Sequence, residues 1–222
     1  MRNLILFVAM LTVETSTASV MRAQKTEFSA DMRLDAAGQI QVVKLFVGNQ
    51  RARLDRTAIA GEVNGISSLL IDFDHQFLYL LATQSKMYMR IAGSNGSPFY
   101  QGAWMFRPSS SEAPCGEWVS EANRRGMTLR CQQVGQDRVD GRTTQKWDAR
   151  IPEGGHGSIW YDPALNFIVK VQRTSKDGIE SGYELQEIKE GTQPQKLFAP
   201  PTGYREFTLN RLVDVLIGLG QW

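Results

Sequence analysis

The chain has little with which to carry out covalent or metal chemistry. Its 222 residues include two Cys and two His, and they contain no Walker sequence, no dinucleotide fingerprint, no zinc-spaced pair and no G-x-S-x-G elbow. Charge of one sign is also scarce. Lys+Arg number 25 against 23 Asp+Glu, interspersed, which argues against the phosphate-neutralising surface of a nucleic-acid binder. No apolar run approaches the ~20 residues that cross a bilayer as a helix. Twenty Gly and eight Pro occur without tracts, unlike collagen or a disordered chain. What is present, 42% hydrophobic residues, suits one globular domain with an appended segment.

That segment is the N-terminus. Arg2 supplies a positive start, Leu4 to Leu11 an apolar core, and Ser16-Thr17-Ala18 or Met21-Arg22-Ala23 a small-residue cleavage site. This pattern predicts a signal peptide over 1–23 and a single exported domain over 24–222, periplasmic or secreted. Cleavage after Ala23 leaves a nearly neutral protein. Without a Cys here to take a lipid, a soluble exported protein is expected. The two cysteines fit that compartment: Cys115 and Cys131 are expected to form a disulfide across or beside one hairpin.

Beyond the leader, short β-type runs alternate with turn chemistry. Phe28 to Leu34 alternates apolar with polar, Ala36-Ala37-Gly38 interrupts, and Gln39 to Val47 resumes. Gly48-Asn49-Gln50 turns into Arg51 to Arg56, where charge and apolarity alternate at period two. Ser68 to Phe73, Phe77 to Leu81 and Lys86 to Ile91 continue an antiparallel meander. Further strands are expected at 117–121, 127–134, 143–151, 158–162, 167–173 and 179–188, with Val139-Asp140-Gly141 and Lys176-Asp177-Gly178 among the turns. Residues 92–114 form one long aromatic-rich stretch, expected to fold onto the body as a cover. In the tail, Leu209, Leu212, Val213, Leu216 and Leu219 recur at helical spacing and predict a closing helix.

Many one-sided strands and very little helical cover leave an apolar concavity if the sheet curves around them. The expected fold is mainly β: a strongly curved, open antiparallel half-barrel with a few short covering helices. The alternative is a β-sandwich whose two sheets bury each other.

The order of segments resembles the periplasmic lipoprotein-carrier-like superfamily (LolA/LolB-like). The resemblance is carried by Phe28-Ser29-Ala30-Asp31-Met32, by the pair Val42 to Gly48 and Arg51 to Asp55, and by Leu69 to Asp74 leading to Lys86-Met87-Tyr88. Trp160-Tyr161-Asp162-Pro163, Phe167 to Val171 and Pro200-Pro201-Thr202-Gly203-Tyr204 are similar too. It implies a half-barrel with helices on its concave side, holding acyl chains. The implied partners are a lipid or acylated protein and an envelope protein, with transient membrane contact, no nucleic acid and no cofactor.

Strand alternation places Leu45, Leu54, Ile71, Met87, Met89, Trp147 and Val169 inward, joined by Leu212 and Leu216 from the tail. These are the expected ligand-binding residues, and flexible, polarizable Met suits variable acyl chains. Core packing is the competing reading of each. Two further function classes stay open. Asp72, Asp74 and His75 gather a D-x-D-H cluster that would serve a metal-assisted hydrolase, although a turn cap accounts for it as well. Glu153-Gly154-Gly155-His156-Gly157 reads as a hairpin loop. The sheet edge could instead recruit a partner strand in a purely structural or interaction module. No catalytic residue and no metal site is assigned, and a non-enzymatic binding protein is the expectation.

Overall fold

The computed structural model describes residues 26–56, 66–93, 106–107, 114–124, 126, 128–150 and 155–207. The leader and the closing helix expected around Leu212 and Leu216 lie outside these residues, as do most of 92–114 and the Glu153-Gly154 part of the expected hairpin loop.

Strands are β1 (Phe28–Ala36), β2 (Gln39–Gly48), β3 (Arg51–Arg56), β4 (Ser68–Asp72), β5 (Phe77–Ala82), β6 (Met87–Ala92), β7 (Arg130–Val139), β8 (Arg142–Arg150), β9 (His156–Asp162), β10 (Phe167–Thr174), β11 (Glu180–Glu190) and β12 (Arg205–Glu206). They form one sheet in the order β12-β6-β5-β4-β3-β2-β1-β11-β10-β9-β8-β7. All neighbours are antiparallel except β12, which runs parallel to β6. Two meanders, β1 to β6 and β7 to β11, therefore meet at a single seam, where Met32 stands opposite Leu185. The alternative of a sandwich of two separate sheets is not formed, because the described strands share one open sheet.

The alternation read in the sequence explains the strands. On β1, Phe28, Ala30 and Met32 are buried while Ser29, Asp31 and Arg33 are partly exposed. The turns carry the rest: Asp140 and Gly141 both adopt positive φ, the geometry a two-residue hairpin requires and Asp-Gly accepts readily.

The sheet also bends. Held flat, strands four places apart would lie about 19 Å from each other. Yet Asp140, in the β7–β8 turn, accepts a hydrogen bond from the Ile188 N–H of β11 at 2.9 Å. Arg142 of β8 donates both to Asp162 of β9 and to Glu190 of β11. The β7–β8 wing is thus turned back over the seam and latched there by one guanidinium.

One expectation needs correction. Residues 117–121 are not a strand but lie in helix α1 (Gly116–Arg124). Cys115 and Ala122 are buried and Val119 half-buried, a spacing of four and three that makes a helical stripe. The Val119 N–H donates to the Cys115 carbonyl at 3.1 Å, and Gly126 follows with φ 71°. The expected Cys115–Cys131 disulfide forms, tying the start of α1 to the outermost strand β7, beside the β7–β8 hairpin.

After β11 the chain crosses the back of the sheet. A short 3-10 turn, Gln195–Phe198, buries Phe198 so closely against Gly48 that a Cβ there would lie 2.7 Å from its ring. Arg53 donates to the Leu197 carbonyl at 2.9 Å, and the strap ends as β12 on the edge of β6.

Candidate ligand-binding site

Residues paired across neighbouring strands share a face, so the register sorts the sheet into an inner and an outer surface. One inner row runs Leu45, Leu54, Leu69, Leu80, Met89 from β2 to β6. A second runs Val47, Ala52, Ile71, Leu78, Ile91. Across the seam, Met32, Leu185, Val169, Phe167, Ile159 and Tyr161 are buried on or around the same core.

The outer surface buries Leu70 and Leu81 on β4 and β5 and elsewhere carries charge pairs. Lys44 meets Asp31 at 2.7 Å, Arg53 meets Asp55 at 2.7 Å, and Lys170 meets Glu184 at 2.8 Å. The Trp160 ring lies between Lys146 and Lys170, 5.0 and 4.9 Å from its centroid, and its indole N–H donates to Asp137 at 2.9 Å. That hydrogen bond holds the Asp137 carboxyl below its ordinary range.

The nine expected ligand-binding residues fall as follows. Leu45, Ile71 and Val169 are fully buried in the core. Leu54 and Trp147 pack against it and are only half-buried. Met87 and Met89 are half-buried on β6. Leu212 and Leu216 lie outside the described residues. The structure thus brings Leu45, Leu54 and Met89 into one row and sets Trp147 and Val169 on the opposite wing. Leu69 and Leu80, missed as lining residues, complete that row; both sit in apolar runs where single-residue alternation is hard to read.

Cover is also visible at one point. Phe106 is buried with its ring 6.5 Å from that of Tyr183, and Arg107 lies over Phe73, so this part of 92–114 folds onto the inner face as expected. Burial raises the Tyr183 phenol far above its usual range, and its O–H donates to the Ile168 carbonyl at 2.9 Å.

Three buried polar atoms at inner-face positions have no hydrogen-bond partner: Arg56 Nη1, Gln145 Oε1 and Trp147 Nε1. Arg56 stands opposite Val43, Gln145 opposite Tyr161 and Trp147 opposite Ile159. All three register partners are core residues. Such atoms are costly to bury unsatisfied.

The Asp72, Asp74, His75 cluster caps a turn. Asp72 accepts from the His75 N–H at 2.9 Å and from its ring, and Arg51 lies 3.3 Å away. Burial alone would raise the Asp72 carboxyl, but these neighbours outweigh it and hold it below its ordinary value. Asp74 is exposed. Among the described residues, no group of three or more His, Cys, Asp or Glu is placed to hold a metal, and no helix is long and apolar enough to cross a membrane.

No family model matches the chain, and no curated protein matches it in sequence. Solved structures do match in fold. An uncharacterized conserved protein from Thermus thermophilus is 8% identical with a TM-score of 0.52, covering 85% of this chain and 93% of its own. The Pseudomonas aeruginosa MucA/MucB complex gives 10% identity and a TM-score of 0.49, over 81% of this chain and 57% of that one. A LolA superfamily protein from Nitrosomonas europaea gives 8% and 0.35, over 80% and 91%. LolA superfamily proteins and MucB are thus among the solved structures that match, at low identity; of these three, the Thermus protein alone exceeds 0.5 in TM-score, and that likeness is one of fold.

Proposed function

We propose that this is an exported, non-enzymatic protein that holds a lipid or an acyl chain of a lipoprotein in the trough of its curved sheet, for carriage or envelope sensing. The observation that carries the reading is the row Leu54, Leu69, Leu80, Met89. It is apolar, continuous across four strands and only half-buried, whereas Leu70 and Leu81 on the reverse of the same strands are closed off. A flexible apolar wall ending in Met accommodates chains of different length.

The experiment is to purify the protein from its native compartment, extract it with organic solvent and identify co-purified lipid by mass spectrometry. A neutral apolar fluorophore is then titrated into the stripped protein. Bound acyl lipid and saturable fluorophore binding are expected. Protein recovered empty that also leaves the fluorophore dark rejects the reading.

A second reading has one observation in its favour. β7 is an outermost strand of ten residues, all but two of them exposed, and an exposed edge can add a strand from a partner protein. Capture of an envelope protein that is lost when β7 is interrupted by proline, with no lipid recovered, supports that reading over the first.

A further inference from the structure

Arg56 is the anomaly of the inner face. On β3 the alternation puts Arg51, Arg53 and Asp55 outward, and the first two have partners there: Gln195 for Arg51, Asp55 and the Leu197 carbonyl for Arg53. Ala52, Leu54 and Arg56 take the other face. Arg56 is thus a guanidinium at the end of an apolar strand face, opposite buried Val43. Its backbone is fixed by the N–H bond to the Ser67 carbonyl at 3.0 Å. Its Nη1 is buried and makes no hydrogen bond.

Among the described residues, no carboxylate pairs with it. Asp31 and Asp35 on β1 and Asp55 on β3 occupy the outward positions, and Asp31 and Asp55 already face Lys44 and Arg53. A guanidinium nitrogen closed off from water with no partner among the described residues is costly, and an anion arriving from outside relieves it.

What lies beside the cation says what kind of anion fits. Leu54 is two residues back on the same strand and face, and its row continues through Leu69 and Leu80 to Met89, three strand spacings or about 14 Å away. An anionic group with a long apolar chain matches both features at once.

We propose that Arg56 binds the headgroup of an anionic amphiphile whose chain lies along Leu54, Leu69, Leu80 and Met89. The inference rests on the lipid-holding reading above and adds the charge of the ligand and the residue that selects it. Carboxylate and phosphate heads share this chemistry, since both accept two parallel N–H bonds from a guanidinium.

The test compares two probes on the full chain: dansylundecanoic acid and its methyl ester, which have the same chain and differ in charge. The wild type is expected to bind the acid about tenfold or more tightly than the ester, the range of one charge-assisted bond. Arg56→Gln is expected to erase that preference while still binding the ester, and Arg56→Lys to retain much of it. Equal binding of acid and ester by the wild type, or an acid preference that survives in Arg56→Gln, overturns the inference but leaves lipid holding intact. Failure of the wild type to bind either probe overturns both. Displacement of the bound acid by oleate points to a carboxylate head and by lysophosphatidylglycerol to a phosphate head, and each supports the inference. Equally effective displacement by neutral monoolein counts against it.

Discussion

Leu185 on β11 and Leu80 on β5 both turn into the trough, yet Leu185 is 0% exposed and Leu80 is half-buried. The contrast divides rows as well as wings, since Ala52, Ile71 and Leu78 on β3 to β5 are also buried. Around the seam and β9–β10, Phe28, Phe167 and Tyr161 are closed off, Phe28 and Phe167 meeting edge to face at 5.2 Å. Along β3 to β6, Leu54, Leu69, Met87 and Met89 keep part of their surface open. Side-chain chemistry is nearly the same on both sides. What distinguishes the two sets of residues is how far each is withdrawn from solvent.

The largest effect is expected where the closed wing is latched. Arg142→Ala leaves Asp162, whose side chain is only 2% exposed, without its guanidinium and frees Glu190. A loss of about 3–5 kcal/mol is expected in urea unfolding. A loss below about 1 kcal/mol would show that the latch contributes little to closing the wing. Next comes a matched pair. Leu185→Ala is expected to cost about 3–5 kcal/mol, as for a fully buried leucine, and to leave probe affinity unchanged in the folded fraction. Leu80→Ala is expected to cost less than half of that and to weaken binding of a neutral apolar probe several-fold. Equal stability losses with equal binding would erase the distinction between the wings.

Removing the disulfide with Cys131→Ser is expected to cost about 3 kcal/mol, the chain-entropy value for a loop of this size, and to raise proteolysis at α1 before the rest of the sheet. The smallest effect belongs to the turn cap. Asp72 has its carboxyl held below the ordinary 3.8, so the stability it adds is fully present above that value and is lost as pH falls through the lowered one. Asp72→Asn is expected to cost about 1 kcal/mol at neutral pH, with wild type and variant converging as the pH falls through the lowered value. A difference that persists there assigns the cap to shape and not to charge.

The strands are legible because one-sided burial leaves a period of two. Arg51 to Arg56 is read to the residue, and β10 to within one. The same rule holds the clue to Arg56: it shares the parity of Ala52 and Leu54, so it breaks the alternation that its neighbours obey. The helix α1 reads as a strand because Trp118-Val119 looks β-prone in isolation, whereas the stripe Cys115, Val119, Ala122 acquires meaning only once Cys131 lies across from it. The strap from Gln195 to Glu206 is illegible for a different reason. Its position depends on a cavity beside Gly48 and on the unpaired edge of β6, both made by residues more than a hundred positions earlier.

The seam between the meanders has a consequence for how this chain comes into being. Strands β1 to β6 can pair in the order they are made, but β1 keeps one side unclaimed until β11, nearly the last strand, has appeared. Through most of its synthesis the newborn chain therefore carries a ready half-sheet with one raw margin, the kind of surface that joins to a stranger when its own mate is late. The sheet is complete only when its two ends meet.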